Sequence, residues 1–309
     1  MKSPNNLQTR RQKTSKLKTK KTKKTKKTRT TRTRTAKPSQ SQAARQRIEH
    51  PELSVKNEPQ TQPGERIQKL LAQAGLGSRR EIEGWIRQGL IRIDGRCAEL
   101  GQRITPADRI EIRGRRVNLA QRLGGTTRVL MYNKPAGEIV ARRDPDNRPL
   151  VFSKFPKPER GRWVTVGRLD INSEGLLLAT TNGELANQLM HPSSELEREY
   201  AVRVLGEITE QMAQHLLAGI ELEDGFASFE RIDFSGGEGA NKWYHVTVTQ
   251  GRNRVVRRLM ESQGLQVSRL QRIRYGPVRL PSWLKTGRCS ELNEKEIKRL
   301  RQAFSCDAD

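Results

Sequence analysis

The sequence predicts an α+β fold, and three observations predict it. Past residue 126, short apolar runs alternate with amphipathic helical stretches, too dense in strands for a helical bundle. Between 65 and 114, two short helical patterns are followed by a β-hairpin pattern. Ahead of both lies a stretch of Lys, Arg and Thr with no apolar period. The implied order is a disordered basic arm (1–62), a small helix–helix–hairpin domain (63–115), a linker (116–125), a mixed-sheet domain (126–290), and a C-terminal helix and tail (291–309).

The arm comes first. "KTKKTKKTRTTRTRT" repeats base and threonine and offers nothing to bury, so burial cannot offset chain entropy there. Residues 1–48 hold 18 of the 60 Lys and Arg and none of the 34 Asp and Glu, which leaves 42 bases against 34 acids in the remainder. Most of the formal charge of +26 therefore sits in one tail, on a body that is itself still basic. Such a chain points to a polyanion, and nucleic acid comes first because each neutralised phosphate releases counterions. The arm reads as an electrostatic tether to RNA; the plainer alternative is a solubilising tail. An anionic membrane fits less well, since aromatics make up 5% of the chain and no amphipathic anchor is visible. No apolar run approaches the roughly 18 residues that a membrane span needs. The N-terminus has the charge of a signal peptide but no apolar segment to follow it.

Cys97, Cys289 and Cys306 are the three cysteines, none at CxxC spacing, and the four histidines, His50, His191, His215 and His245, are scattered. Neither a disulfide framework nor a metal site is expected, and a reducing cytoplasm suits this cysteine usage. Nothing in the sequence calls for an oligomer, so a monomer is expected.

In the small domain, "ERIQKLLAQAG" places Ile67, Leu70, Leu71 and Ala74 at helical spacing, and Gly75 and Gly77 end the helix. "SRRE" is a capping box in which Ser78 caps a second helix and Glu81 reaches back. Ile82, Trp85 and Ile86 face inward until Gly89. "LIRIDGRC" turns at Asp94-Gly95, and "DRIEIRG" adds a strand with Ile110 and Ile112 on one face. Arg79 and Arg80 at the second helix start, and Arg87 and Arg92 beyond, are the bases expected to meet phosphates. The stretch 113–125 mixes bases and glycine with little periodicity and reads as the linker.

In the larger domain, "RVLMYNKPAG", "RWVTVG", "LLLATT", "REYAVRVLG", "WYHVTVTQG" and "VSRLQRIRYGPVRL" read as strands. Glu184 to Met190 and residues 252–263 read as helices. "TVGRLDINSEGLLLATT" is the informative stretch. A strand stops at a tight polar loop that offers one acid, Asp170, flanked by Arg168 and Leu169. A carboxylate at a strand end is well placed to enter a cleft. The structural alternative is an Asx-turn in which Asp170 caps its own loop.

Two resemblances sharpen these expectations. "LAQAGLGSRREIEGWIRQGLIRIDG" resembles the S4 RNA-binding domain. "GRLDINSEGLLLATTNGELANQLMHP", followed in order by "EYAVRV" and "GRNRVVRRLMESQG", resembles the pseudouridine synthases, in the branch that joins an S4 domain to the catalytic domain. "QVSRLQRIRYGP" is most similar to the type that acts on large-subunit, 23S ribosomal RNA. The resemblance implies an isomerase that turns a uridine of RNA into its C5-glycoside without metal or cofactor. It implies Asp170 as the catalytic carboxylate, Tyr200 against the target base, and Arg257 as the basic partner of Asp170. Leu169 and the "LLLA" run would supply apolar walls. Arg168, Arg254 and Arg258 are expected at phosphates. "NKPAG", Lys134 to Gly137, resembles the family's early turn and implies support for the pocket. Two positions depart from the family pattern: Val255 stands where a glutamine or glutamate is usual, and Arg198 where a lysine is. A non-catalytic S4-domain RNA-binding or ribosome-assembly factor, or the same chemistry at another rRNA site, are the alternatives.

Overall fold

The computed structural model describes residues 64–303; the basic arm and residues 304–309, Cys306 among them, lie outside the described residues. In the small domain, helices Ile67–Gln73 and Arg79–Arg87 share one core with an antiparallel sheet. The sheet order is Arg96–Cys97, Ile91–Ile93, Ile110–Ile112, Arg115–Val117. Ser78 Oγ accepts from the Glu81 N–H at 3.1 Å and the Glu81 carboxylate accepts from the Ser78 N–H at 2.8 Å, closing the capping box. Asp94 and Gly95 both take positive φ, 49° and 83°, as a tight hairpin turn requires.

Residues 116–125 are not a bare linker. Arg115–Val117 pairs with Ile110–Ile112 as the outer strand, and Asn118 caps a short helix, Leu119–Leu123. Leu119 is 1% exposed in the small domain's core. One buried leucine and a three-residue strand are too short to show a period, which is why the stretch reads as irregular.

The larger domain is one mixed sheet. Its path runs Arg231–Gly236, Asn241–Val248, Arg198–Leu205, Gln266–Tyr275, Glu174–Thr180, Val129–Lys134, Cys289–Glu291. Every pairing on this path is antiparallel except the central one, where Gln266–Tyr275 meets Glu174–Thr180 in parallel. Alternation sorts the apolar "LLLA" run. Leu176 and Leu178 join helix Gly183–Met190 and Leu300 of helix Glu294–Gln302 on one face. Leu177 and Ala179 face Tyr132, Val151 and Trp163 on the other. Across the seam, Val202, Val204, Val246 and Val248 pack under helix Val255–Ser262. Helix Glu210–Ala218, hairpin Ile220–Leu222/Gly225–Ala227 and the edge strand Arg231–Gly236 lie in a region for which the sequence suggested no element. Among the described residues, no helix is long and apolar enough to cross a membrane.

The seam positions the site. One edge of Glu174–Thr180 is shared by two strands in succession: Val166 pairs with Leu178, and Arg272 pairs with Gly175. Loop 167–173 leaves the sheet where one partner gives way to the other, and it carries Asp170.

Candidate active site

Asp170, Leu169 and Arg168 line a cavity of about 360 Å³ with Tyr200, Arg254 and Val255, within the size range of small-ligand pockets. Tyr200 reaches it because Arg198–Leu205 puts residues 198 and 200 on the same face as buried Val202 and Val204. The Asp170 carbonyl accepts from the Ser173 N–H at 3.0 Å, which closes the loop's turn. Its carboxylate has no hydrogen-bond or ion-pair partner among the described residues, so Asp170 does not cap its own loop.

Arg257 stands behind this loop rather than in the cavity wall. The residue is 7% exposed; Nη1 donates to the Val267 carbonyl at 3.0 Å and Nη2 to the Asn172 carbonyl at 3.1 Å. It thereby ties helix Val255–Ser262 to the loop two residues from Asp170. Burial, and then the Arg254 charge, lower its pKa, while the Asp170 charge pulls the other way. The helix begins at Val255, not at 252, because Arg254 takes φ +50° at its N-cap. Residues 252–254 are thus a turn on the cavity rim, a conformation that arginine-rich sequence does not announce.

The other expected phosphate contacts divide. Arg168 is exposed at the rim with no ion pair among the described residues, and Arg254 is 3.3 Å from Glu261. Arg258 is held by Asp224 through contacts of 2.7 and 2.9 Å. Arg79, Arg80, Arg87 and Arg92 are exposed on the small domain, away from this cavity. The apolar walls need a correction. Leu169 lines the cavity, but Leu176, Leu177, Leu178 and Ala179 are fully buried in the sheet's cores and do not. Val255, Val256, Leu270 and Met190 line it instead.

Three cations outside the expected set converge here. Arg198 is buried; Nη1 donates to the Thr249 carbonyl, Nη2 lies 3.4 Å from the Tyr275 hydroxyl, and the guanidinium stands 5.1 Å over the Tyr275 ring. Arg272 donates from Nε to the Leu176 carbonyl at 2.7 Å, and one of its buried Nη atoms has no partner. The readable signal was a charge at an inward strand position, two residues after Leu270 for Arg272 and two before Tyr200 for Arg198.

The third is Lys134, which is fully buried. Its ammonium donates to the carbonyls of Pro135 at 2.9 Å, Ser173 at 2.8 Å and Ile171 at 3.4 Å, and the Gly137 N–H also donates to Ile171 at 2.7 Å. The "NKPAG" turn thus grips the far side of the Asp170 loop. Burial pushes the Lys134 ammonium down to about 8, against the pull of Glu138, Asp170 and Glu174. The unfolded chain keeps this proton up to the ordinary 10.5, so it binds more protons than the native state between the two values. The cost of burying the charge is fully present below about 8 and fades as pH rises towards 10.5. Urea unfolding over that range should show a gain of stability with pH that Lys134→Met lacks; parallel curves would refute this placement of the charge.

The fold and site thus combine a helix–hairpin module with a mixed sheet that carries one uncommitted carboxylate at its seam. Residues 65–110 match the S4 domain and residues 128–262 match the RNA pseudouridylate synthase family, and the chain belongs to that family. It is 54% identical over 240 residues to the ribosomal large subunit pseudouridine synthase B of Pseudomonas aeruginosa, spanning 77% of this chain and 62% of that protein. It is 51% identical over 248 residues to the protein of the same name from Yersinia pestis, spanning 80% of this chain and 78% of that one. A crystal structure of a pseudouridylate synthase shares the fold at a TM-score of 0.54 and 24% identity, over 77% of this chain and all of that chain.

Proposed function

We propose that the protein converts a uridine of large-subunit ribosomal RNA to pseudouridine, with Asp170 as the acting carboxylate. The observation that carries this is the uncommitted Asp170 carboxylate in a cavity that Tyr200 shares. The ring of Tyr200 offers a face for the uracil, and base–aromatic stacking contributes about 1–3 kcal/mol. The target nucleotide must leave its stack to present C1′ and C5. The reaction breaks C1′–N1, turns the uracil, forms C1′–C5, and moves the C5 proton to solvent while N1 gains one. No atom is lost, so the residues at hand suffice: a carboxylate to act, an apolar wall to limit water, and arginines to hold phosphate.

The names of the relatives favour the large subunit as the address. Work on ribosomal RNA favours a cytoplasmic location, and a monomer fits because one copy of the chain supplies every residue named above. The domain limits proposed are 64–123 for the RNA-binding module and 128–291 for the catalytic sheet, with Glu294–Gln302 packed back on it. The test is tritium release from a large-subunit rRNA transcript carrying 5-tritiated uridine. Turnover supports the proposal; binding without release leaves only an RNA-binding protein.

A further inference from the structure

A second cavity, of about 340 Å³, opens between the small domain and the sheet domain. Lys69, Arg79, Arg80, Arg162, Asn187 and Met190 are among the residues that line it. Met190, 38% exposed, also lines the Asp170 cavity, so the two hollows share a wall.

The charges here are unbalanced. Lys69 is satisfied by Glu65 and Glu184, both at 2.9 Å. Arg79, Arg80 and Arg162 have no ion pair among the described residues, and the Nε of Arg162 is buried without a hydrogen-bond partner. Arg142 stands close behind, its guanidinium donating to the Trp163 carbonyl and lying 4.3 Å over Phe152. One acid, Glu81, acts on Arg142 and Arg162, and it is shared with the Ser78 N–H and with Arg143 at 3.7 Å. Burial first, then the Arg142 charge, lower the pKa of Arg162. A fold that gathers Arg79, Arg142 and Arg162 around the single charge of Glu81, and strips water from Arg162, keeps an excess of positive charge that an incoming anion balances.

We propose that this cleft is a phosphate-binding site, centred on Arg162, that grips the backbone of the same RNA whose target nucleotide enters the Asp170 cavity. The guanidinium fork suits a phosphate's paired oxygens, and cations contributed by both domains would grip one strand. Continuity through Met190 selects RNA over a separate acidic protein: a strand leaving the Asp170 cavity on that side runs directly onto Arg162, Arg79 and Arg80. The inference rests on the reading that RNA is the substrate, and adds where that RNA is held beyond its target nucleotide.

The full chain, Arg162→Gln, Arg162→Lys and Asn187→Asp would be compared on the large-subunit rRNA transcript with 5-tritiated uridine. Asn187 is exposed on the cleft wall, so its isosteric replacement adds a negative charge without disturbing the fold. Arg162→Gln should reduce the slope of log affinity against log salt by about one and raise KM about tenfold, with the loss falling on KM rather than kcat. Asn187→Asp should raise KM several-fold, and Arg162→Lys should restore the slope. Unchanged slope and KM in both Arg162→Gln and Asn187→Asp would overturn the cleft, as would a loss confined to kcat. A parent protein that binds the transcript but releases no tritium sinks the catalytic reading instead, and the slope comparison still decides the cleft.

Discussion

Asp170→Asn should reduce pseudouridine formation by at least about 10³-fold while leaving RNA affinity and folding stability within about twofold and about 0.5 kcal/mol of the parent. The size follows from the site: no second acid lines the cavity, so nothing there substitutes for a lost carboxylate. A 10³-fold loss corresponds to about 4 kcal/mol of transition-state stabilisation. The retained affinity and stability follow from the same geometry. The Asp170 side chain has no hydrogen-bond or ion-pair partner among the described residues, so an isosteric amide breaks no native contact. The loop keeps its turn through backbone atoms and its anchors through Lys134 and Arg257. Tritium release and filter binding, measured on the same transcript, separate the two effects. Activity within tenfold of the parent would remove Asp170 from the chemistry. Equal loss of binding and turnover would make it a binding residue only.

Local signals were legible, and long-range ones were not. Ser78 and Glu81 announce a helix start because the capping box is complete within four residues. Asp94-Gly95 announces a hairpin because both positions need positive φ. Asp170 was legible as a lone acid on a strand-end loop, and the family motif supplied the role proposed for it. What failed was information that sequence spacing does not carry. The walls of the cavity come from Val256, Leu270 and Met190, which only the folded sheet brings beside Leu169. That Arg257, whose charge Asp170 feels, spends its guanidinium on the Val267 and Asn172 carbonyls depends on how its helix packs against the loop, which spacing does not show. Lys134 read as part of a supporting turn. That its ammonium meets Ser173 depends on the pairing of Lys134 with Gly175. Arg162 carried no signal at all: it precedes an ordinary strand, and its surroundings are built by two domains together.

Gly175→Ala should lower unfolding stability by about 3 kcal/mol or more and depress turnover with it. Glycine within a strand is ordinarily a liability of about 0.5–1 kcal/mol relative to alanine, so at an open position this change would stabilise. Gly175 is not open. Its φ is +95°, and a Cβ there would stand 2.3 Å from the Arg272 carbonyl oxygen and 2.8 Å from the Gln271 side chain. The first obstacle is backbone, which cannot swing aside as a side-chain end can. This is the parallel contact that joins the two halves of the sheet, the Asp170 half and the Tyr200 half. Pushing the strands apart also strains the bond from Arg272 to the Leu176 carbonyl and alters the separation of the two site residues. Urea unfolding of the variant should show a lower midpoint with an unchanged slope, and the tritium assay a fall in kcat greater than the change in RNA affinity. A stabilised variant would mean that the seam yields, and that the distance between Asp170 and Tyr200 is set by something other than the close approach at Gly175.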